Sequence, residues 1–173
     1  LAAKENMRTE SFAQKLCVSS QGNVDCIKNA QLEEGQKGLL FSLSNHKVLY
    51  ANGIYDKVYP ASITKIMTAM LALQSGKLND TVTITQDNVT LEDGSQVCGF
   101  VAGDQVTLDQ LLHCLLVYSG NDAASAIAEY VGGSTENFVQ MMNDYAAKLG
   151  CTGTHFSNPH GLQDENHYTT PYD

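Results

Sequence analysis

The chain has 173 residues and a formal net charge of −9 at pH 7, a length that suits one domain of ordinary size. Hydrophobic residues make up 43% and charged residues 17% of it, which indicates a globular protein and excludes a disordered one. The acidic balance argues against nucleic-acid binding and a basic membrane-binding face. No apolar run approaches the roughly 18 residues that a membrane-spanning helix needs.

The first third of the chain is predicted to contain an extension followed by a β-hairpin. Residues 1–35 are polar with weak periodicity, and we interpret them as an N-terminal helix or extension. The apolar runs 38–43 and 47–51 predict two short strands, joined by a turn at Asn45-His46. The N-terminus lacks the basic-then-apolar segment of a signal peptide, so either the protein is cytosolic or a signal has been removed.

A helix is predicted to begin at Ser62 and to end at Gly76. Ser62 and Lys65 lie at the margin of its apolar stripe, so they can line a pocket while the stripe anchors the helix in a core. The stripe has the i, i+3, i+4, i+7, i+8 spacing of a half-buried helix and consists of Ile63, Ile66, Met67, Met70 and Leu71.

Further elements follow in the second half. Alternation over residues 81–85 predicts a strand, and a glycine-containing loop comes after it. Thr107 opens a helix, with Gln110 completing a capping box. Gly120 and Asn121 interrupt that helix. Helical structure is predicted to resume at residues 123–131. The apolar face of the Thr107 helix consists of Leu108, Leu111, Leu112, Leu115 and Leu116.

The last predicted helix begins after Ser134 and ends at Gly150. Its apolar face consists of Phe138, Met141, Met142, Tyr145 and Leu149. A polar loop follows over residues 157–173. Three histidines lie in or beside this loop, but their spacing matches no metal-ligand pattern. We assign no catalytic role to them; they are His155, His160 and His167.

The chain contains five cysteines, and an odd number leaves at least one thiol unpaired. Cys17 and Cys26 flank a polar turn. They either form a disulfide or stay as two free thiols, because spacing alone does not fix the Cα geometry. Cys114 falls on an apolar helix face and is interpreted as a small buried hydrophobic residue. The absence of a C-x-x-C pair argues against a structural zinc site.

The most informative stretch is Ser62-Ile63-Thr64-Lys65. A serine and a lysine three residues apart on a helix lie on one face. A serine hydroxyl is a weak nucleophile that needs a base beside it, and an unprotonated lysine in a desolvated pocket can be that base. The helix N-terminus also favours negative charge developing on the serine oxygen. Alone, a four-residue match of this kind is weak evidence.

A second motif, Ser119-Gly120-Asn121, follows 57 residues after Ser62. S-x-x-K together with an S-x-N motif is part of the motif set of class A β-lactamases and penicillin-binding proteins. In this pairing the second serine relays a proton or holds the lysine. The asparagine donates to a substrate carbonyl and accepts from Lys65. Taken singly, Ser62 is interpreted as an N-cap residue and Ser119-Gly120-Asn121 as a helix-breaking turn. The occurrence of both motifs in one chain favours a catalytic role for them.

Four stretches with matching order and spacing resemble one narrower family. They are residues 60–69 (PASITKIMTA), 101–107 (VAGDQVT), 119–124 (SGNDAA) and 154–162 (THFSNPHGL). The family is the serine-type D-Ala-D-Ala carboxypeptidases, the low-molecular-weight penicillin-binding proteins of peptidase family S11. The resemblance covers roughly residues 36–173 and leaves residues 1–35 as an N-terminal extension.

The resemblance implies an α/β (α+β) fold of the β-lactamase/DD-peptidase type, with an antiparallel sheet and helices around it. It implies that Ser62 attacks the penultimate D-alanine carbonyl of a peptidoglycan stem peptide and forms an acyl-serine. Lys65 and Ser119 then carry the proton, and Asn121 orients the substrate. β-Lactam antibiotics would acylate Ser62, and no metal or organic cofactor is needed. An extracytoplasmic location after signal-peptide removal also follows, with a role in cell-wall synthesis and cell shape.

The third motif of the family, K-T-G, does not occur in this sequence. We therefore expect residues 36–173 to be a partial catalytic domain, the N-terminal portion of a longer enzyme. In the family the K-T-G motif lies on a strand that borders the active site. This strand is expected to supply the second backbone donor of the oxyanion hole and the cation that holds the substrate carboxylate. The C-terminal remainder of the same enzyme, or a strand-exchanged copy, is therefore an expected partner.

Two alternatives remain open at this stage. A class A β-lactamase would need a glutamate that activates the deacylating water, and Glu129 and Glu136 lack the matching context. A non-catalytic module that binds penicillin or cell wall would retain the fold without the chemistry.

Overall fold

The computed structural model of the protein describes residues 24–25, 32–42, 44 and 47–173. These residues fall into two compact units. One unit contains the described residues up to Val58 together with Ala146–Thr154 and Tyr168–Asp173, and the other contains Tyr59–Tyr145 and His155–His167. The predicted turn at Asn45-His46 and the pairing of Cys17 with Cys26 lie outside the described residues.

The first unit contains a three-stranded antiparallel sheet. Its strands are β1 (Val24–Asp25), β2 (Gly38–Ser42) and β3 (Lys47–Asn52), in the order β1-β3-β2. The pairing of β2 with β3 confirms the predicted hairpin, and a register shift between Leu40 and Phe41 marks a β-bulge. Strand β1 lies within residues 1–35, so part of the segment predicted to be a helix or extension is a strand.

The last residues of the chain are tied into this same unit. Val58 and Thr169 exchange backbone hydrogen bonds of 2.9 and 3.0 Å. The Asp173 carboxylate accepts hydrogen bonds from the Gly153 amide at 2.7 Å and from the Thr154 hydroxyl at 2.6 Å. The end of the predicted polar loop is therefore held by specific bonds without forming a helix.

The second unit is mainly helical. Strands β4 and β5 form a small antiparallel pair, and α4 packs against α1, α2 and α3. No helix in the described part of the chain has the length and apolar character needed to span a bilayer. The elements are α1 (Lys65–Gln74), β4 (Thr81–Thr83), α2 (Gln86–Val89), β5 (Gln105–Thr107), α3 (Leu108–His113), α4 (Asn121–Gly132) and α5 (Thr135–Leu149), of which residues to Tyr145 belong to this unit.

Helix starts and the core follow the sequence signals closely. The Thr107 hydroxyl accepts from the Gln110 amide at 3.1 Å, and the Gln110 side chain accepts from the Thr107 amide at 2.8 Å. This confirms the predicted capping box. Ser134 likewise accepts from the Asn137 amide at 3.1 Å. The fully buried apolar side chains include Leu108, Leu111, Leu115, Ile127, Phe138 and Met142.

Two predicted apolar stripes are wrong at particular positions. Ile63 and Ile66 are 68% and 58% exposed, and Leu116 is 56% exposed. A 3₁₀ turn over Ala61–Thr64 precedes α1, and a π-helical turn over Cys114–Tyr118 follows α3. Because these turns have a different number of residues per turn from an α-helix, the 3.6-residue periodicity fails across them.

The structure also corrects the start of α4 and the burial of one cysteine. Helix α4 begins at Asn121, two residues before the predicted start. Gly120 is extended and Ser119 has φ of +63°, so the turn between the helices is confined to these two residues. Cys114 is half-buried and not fully buried.

Candidate active site

Ser62 lies in the 3₁₀ turn immediately before α1, on a strained backbone. Ala61 has φ of +47°, a left-handed conformation that residues with a Cβ rarely adopt. Such outliers persist only where the surrounding structure enforces them, and they concentrate at functional sites. Ser62 itself is exposed, whereas Lys65 is only 3% exposed. The turn therefore presents the hydroxyl to solvent and keeps the amine buried beneath it.

The Lys65 amine is the centre of the site. Its Nζ lies 3.1 Å from Ser62 Oγ, 2.7 Å from Asn121 Oδ1 and 2.9 Å from the carbonyl oxygen of His160. Burial lowers the pKa of Lys65 from its usual range, because a buried site disfavours the charged form. Nζ can donate in each of these contacts, and in a neutral amine the two N–H groups can stay on the two carbonyl oxygens while the lone pair accepts the Ser62 hydroxyl proton.

The turn that carries Asn121 is held from two sides. The Gly120 amide donates to the Cys114 carbonyl at 3.2 Å, and the Asn121 amide donates to the Gln96 carbonyl at 2.7 Å. A Cβ at position 120 would overlap Cys98 Sγ and the Asp122 carboxylate, so a side chain there would displace these two groups. These contacts fix the backbone from which the Asn121 side chain reaches Lys65.

The buried carboxylate of Asp122 completes this support. It is 1% exposed and accepts hydrogen bonds from the amides of Cys98 at 2.9 Å and Gly99 at 3.0 Å. It also accepts from the Ala123 amide at 2.9 Å. The loop before α3 and the first turn of α4 are therefore joined through one side chain.

The structure brings together three of the four predicted site residues: Ser62, Lys65 and Asn121. Ser119 is half-buried in the left-handed conformation at the end of the π-helical turn. Among the described residues, its hydroxyl makes no hydrogen bond to Lys65. Its role as a proton relay therefore stays a prediction.

Residues 158–161 form the third wall of the site. The Asn158 carboxamide oxygen accepts from the Gly161 amide at 2.7 Å, and the Thr68 hydroxyl donates to the Pro159 carbonyl at 2.6 Å. These bonds hold the His160 carbonyl at Lys65. Gly161 has φ of +89°, and a Cβ there would overlap the Ala61 carbonyl. The loop therefore lies directly against the 3₁₀ turn that carries Ser62.

His167 forms a hydrogen bond with Thr64, the residue that precedes α1. Its Nδ1 accepts from the Ser157 amide at 3.1 Å, so its Nε2 carries the proton and donates to the Thr64 hydroxyl at 2.6 Å. His167 is 2% exposed, and burial lowers its pKa. Burial, then the nearby charges of Lys65 and His167, lowers the pKa of His160 to about 4.

Sequence reasoning missed Thr64, Thr68 and Asn158 as parts of the site. The signal was present for two of them, because Thr68 is four residues after Thr64 and three after Lys65 on a predicted helix, which are the spacings of neighbouring side chains. Nothing local indicated what that face would contact. The partners come from residues about 90 to 100 positions later in the chain.

Glu129, one of the carboxylates considered for a deacylating water, has other partners. Its Oε2 accepts from the Asn88 side chain at 2.6 Å and from the Thr85 hydroxyl at 2.9 Å. This carboxylate joins the start of α2 to α4. Its hydrogen-bond partners are therefore not Ser62 or Lys65.

An exposed serine at the start of a helix, bonded to a buried amine of lowered pKa, defines the arrangement of a serine–lysine acyl-transfer site. Comparisons with known proteins agree with this class. The sequence profile of the S11 peptidases, described as D-alanyl-D-alanine carboxypeptidase, matches residues 26–173. The chain belongs to this family.

Relatives and solved structures of the family match most of this chain. The chain is 38% identical to the D-alanyl-D-alanine carboxypeptidase DacF of Bacillus subtilis over 81% of its length, and 41% identical to DacC of Escherichia coli over 78%. The crystal structure of DacD from Francisella tularensis matches 92% of the chain with a TM-score of 0.76 and 30% identity. These neighbours confirm the predicted α/β DD-peptidase fold.

The match covers a smaller share of the relatives than of this chain. The chain spans 37% of the length of the B. subtilis relative, 36% of the E. coli relative and 39% of the F. tularensis structure.

Proposed function

We propose that the protein acts as a serine D-Ala-D-Ala carboxypeptidase on peptidoglycan stem peptides. The observation that carries the proposal is the bonding of the Lys65 amine to Ser62 Oγ at 3.1 Å, with Asn121 and His160 as its other two partners. The two carbonyl acceptors use the two N–H groups of a neutral amine, and the remaining lone pair is left for the serine hydroxyl proton. Lys65 is therefore arranged as a base toward Ser62.

The proposed reaction has two acyl-transfer steps. Ser62 Oγ attacks the carbonyl of the penultimate D-alanine while its proton passes to Lys65 Nζ. The tetrahedral intermediate collapses, the peptide C–N bond breaks, and the departing D-alanine amine takes the proton through Lys65 and Ser119. Water then attacks the acyl-serine, with Lys65 again accepting the proton. The truncated peptide leaves and Ser62 regains its hydroxyl.

Asn121 has two tasks in this proposal. Its Oδ1 accepts from Lys65, which leaves its amide nitrogen to donate to a substrate carbonyl. Ser119, on the same turn, relays the proton to the leaving amine. The strained backbone at Ala61 keeps the Ser62 hydroxyl exposed, so its direction is set before substrate arrives.

The oxyanion hole needs two donors. We assign one to the Ser62 amide. The second donor and the cation for the substrate carboxylate belong to a K-T-G strand, which this sequence lacks. We propose that the strand comes from the C-terminal remainder of the enzyme, present as a second chain, or from a strand-exchanged copy of the longer enzyme. Size-exclusion chromatography with and without a K-T-G-bearing segment tests this, and a fully active monomer of this chain alone contradicts it.

The substrate determines the remaining assignments. Peptidoglycan stem peptides lie outside the cytoplasm, so we place the protein at the outer face of the membrane or in the secreted fraction after signal-peptide removal. β-Lactam antibiotics resemble the D-Ala-D-Ala terminus and acylate the same Ser62. The proposed role is the maturation of cell-wall peptidoglycan and thereby cell shape.

The experiment that tests this function measures D-alanine release from a synthetic peptide ending in D-Ala-D-Ala. The K-T-G-bearing segment is present, and a peptide ending in L-Ala-L-Ala and the Ser62→Ala variant are the controls. We expect release from the D-peptide alone and none from the variant. Rapid hydrolysis of nitrocefin without D-alanine release would favour a β-lactamase. Tight penicillin binding that survives Ser62→Ala would favour a non-catalytic module.

A further inference from the structure

Two cysteines lie on the two segments that support the Ser119-Gly120-Asn121 turn. Cys114 supplies the carbonyl that accepts the Gly120 amide at 3.2 Å. Cys98 belongs to the loop that supplies the Gln96 carbonyl to the Asn121 amide, and its own amide donates to Asp122 at 2.9 Å. One cysteine is therefore placed on each side of the turn that positions Asn121.

The Cys98 thiol lies against the backbone of Cys114. Cys98 Sγ donates to the Cys114 carbonyl oxygen at 3.7 Å, and the neighbouring Cys114 contributes to the raised pKa of Cys98. Both thiols are free and both residues are half-buried, so a small reagent has a route to them. Cys98 Sγ also fills the space over Gly120 that a Cβ would occupy.

We propose that Cys98 and Cys114 are a redox-sensitive pair, which a small disulfide compound such as oxidised glutathione converts to an intramolecular disulfide. The bond forms across the support of the Ser119-Gly120-Asn121 turn and slows acylation of Ser62. Formation of the disulfide depends only on the two thiols. Its effect on the acylation of Ser62 rests on the proposed function.

The chemistry balances in two exchange steps. The Cys114 thiolate attacks the small disulfide, forming a mixed disulfide and releasing one thiol. The Cys98 thiolate then attacks the Cys114 sulfur, which closes the protein disulfide and releases the second thiol. The small disulfide thus accepts the two electrons. Burial, the charge of Asp122 and the neighbouring Cys114 raise the pKa of Cys98 to about 12, so the second step is the slow one.

Closing the bond must move the turn. A disulfide holds its sulfurs about 2.05 Å apart, whereas Cys98 Sγ is bonded to the Cys114 carbonyl oxygen at 3.7 Å. Cys98 Sγ has to leave its position over Gly120, and the Cys114 carbonyl loses its S–H donor. Because Gly120 and Asn121 are bonded to these same segments, the displacement reaches the Asn121–Lys65 contact.

The first arm of the test measures the bond itself. A Cys17→Ser, Cys26→Ser background retains Cys98, Cys114 and Cys151, and Cys151 is the matched control because it is also half-buried, with a pKa raised by burial. The folded protein is treated with oxidised glutathione at pH 8.5, trapped with N-ethylmaleimide and mapped by mass spectrometry. We expect a Cys98–Cys114 disulfide, with Cys151 still alkylated. Alkylation of both Cys98 and Cys114, or glutathione adducts without an internal bond, would overturn the pairing.

The second arm measures the consequence for Ser62. Penicillin adducts are followed over time on the reduced and oxidised forms, with the K-T-G-bearing segment present. We expect acylation of the oxidised form to be at least about tenfold slower, since a displacement of 1 Å can cost up to about a hundredfold. Dithiothreitol restores the rate, and in Cys114→Ser the rate does not respond to oxidant. Equal rates in both forms overturn the control of Ser62. A reduced protein that is never acylated contradicts the proposed function, while the first arm still decides the pairing.

Discussion

Gly161 packs so closely against Ala61 that a side chain at position 161 would overlap the Ala61 carbonyl oxygen. Ala61 itself has φ of +47° and directly precedes Ser62. The loop that carries the His160 carbonyl therefore shapes the turn that carries the nucleophile. One glycine couples the orientation of Ser62 to the third hydrogen bond of Lys65.

Gly161→Ala is expected to displace Ser62 and to slow its acylation by penicillin about a hundredfold, because displacements near 1 Å have effects of this order. Gly76→Ala is the matched control. Gly76 also has positive φ, +71°, but a Cβ there meets nothing within 4 Å. It should lose about 1–2 kcal/mol of unfolding free energy and keep its acylation rate. Equal acylation rates in the two variants would contradict the coupling.

Lys65→Arg is expected to abolish the base and to place a permanent positive charge with N–H donors at the same position. A guanidinium stays protonated at all working pH values, and general-base catalysis contributes about 10²–10⁴-fold. We therefore expect the acylation rate to fall by about a thousandfold. Lys148→Arg, at an exposed position on α5, serves as the control and should leave the rate unchanged. Near-normal acylation of Lys65→Arg would show that Lys65 acts only as a positive charge.

Asn121→Asp is expected to shift the pH dependence of acylation to higher pH. Burial lowers the pKa of Lys65 in the native protein, and a carboxylate in place of the 2.7 Å carboxamide contact would stabilise the ammonium form. The rate requires the neutral amine, so it rises with pH through the pKa of Lys65 and does so later in the variant. The measurement is the acylation rate from pH 6 to pH 10, and superimposable profiles would contradict the assignment of Lys65 as base.

His160 is expected to make folding stability depend on pH below neutrality. Its pKa falls from 6.5 to about 4 in the folded protein, so the unfolded chain binds the proton more readily. The stabilising effect is fully present above pH 6.5 and is lost as the pH falls from 6.5 to 4, with a size of at most about 3 kcal/mol. Burial also lowers the pKa of His167, and the charges of His167 and Lys65 both act on His160.

Denaturant unfolding of the wild type and His160→Gln at pH 7 and pH 5 measures this contribution. The variant should lose less unfolding free energy between these two values than the wild type does. His113→Gln is the control, since His113 is exposed on α3 and should leave the pH dependence unchanged. A pH dependence of His160→Gln equal to that of the wild type would remove His160 as its source.

The contact between Ser62 and Lys65 and the capped helices could be predicted from the sequence because their signals are local. Ser62 and Lys65 are three residues apart, and the Thr107–Gln110 capping box is contained in four residues. The two predicted apolar stripes are wrong at Ile63 and at Leu116, respectively. A 3₁₀ turn at the first position and a π-helical turn at the second interrupt the α-helical period.

Long-range packing was outside the reach of sequence patterns. The polar face of α1 is buried because Thr64 and Thr68 have partners in residues 157–167. A helix that buries a lysine and two threonines looks, by hydropathy alone, as though it should turn that face to solvent. The tertiary hydrogen bonds override this preference.

Intact-mass measurement of the penicillin adduct is the direct test of whether Ser62 is the nucleophile activated by Lys65. The protein is incubated with penicillin, alone and with the K-T-G-bearing segment, and Ser62→Ala is treated in parallel. We expect a stable one-to-one adduct that maps to Ser62 and is absent from Ser62→Ala. No adduct under either condition, or an adduct that survives in Ser62→Ala, would contradict the assignment of Ser62 as the nucleophile activated by Lys65.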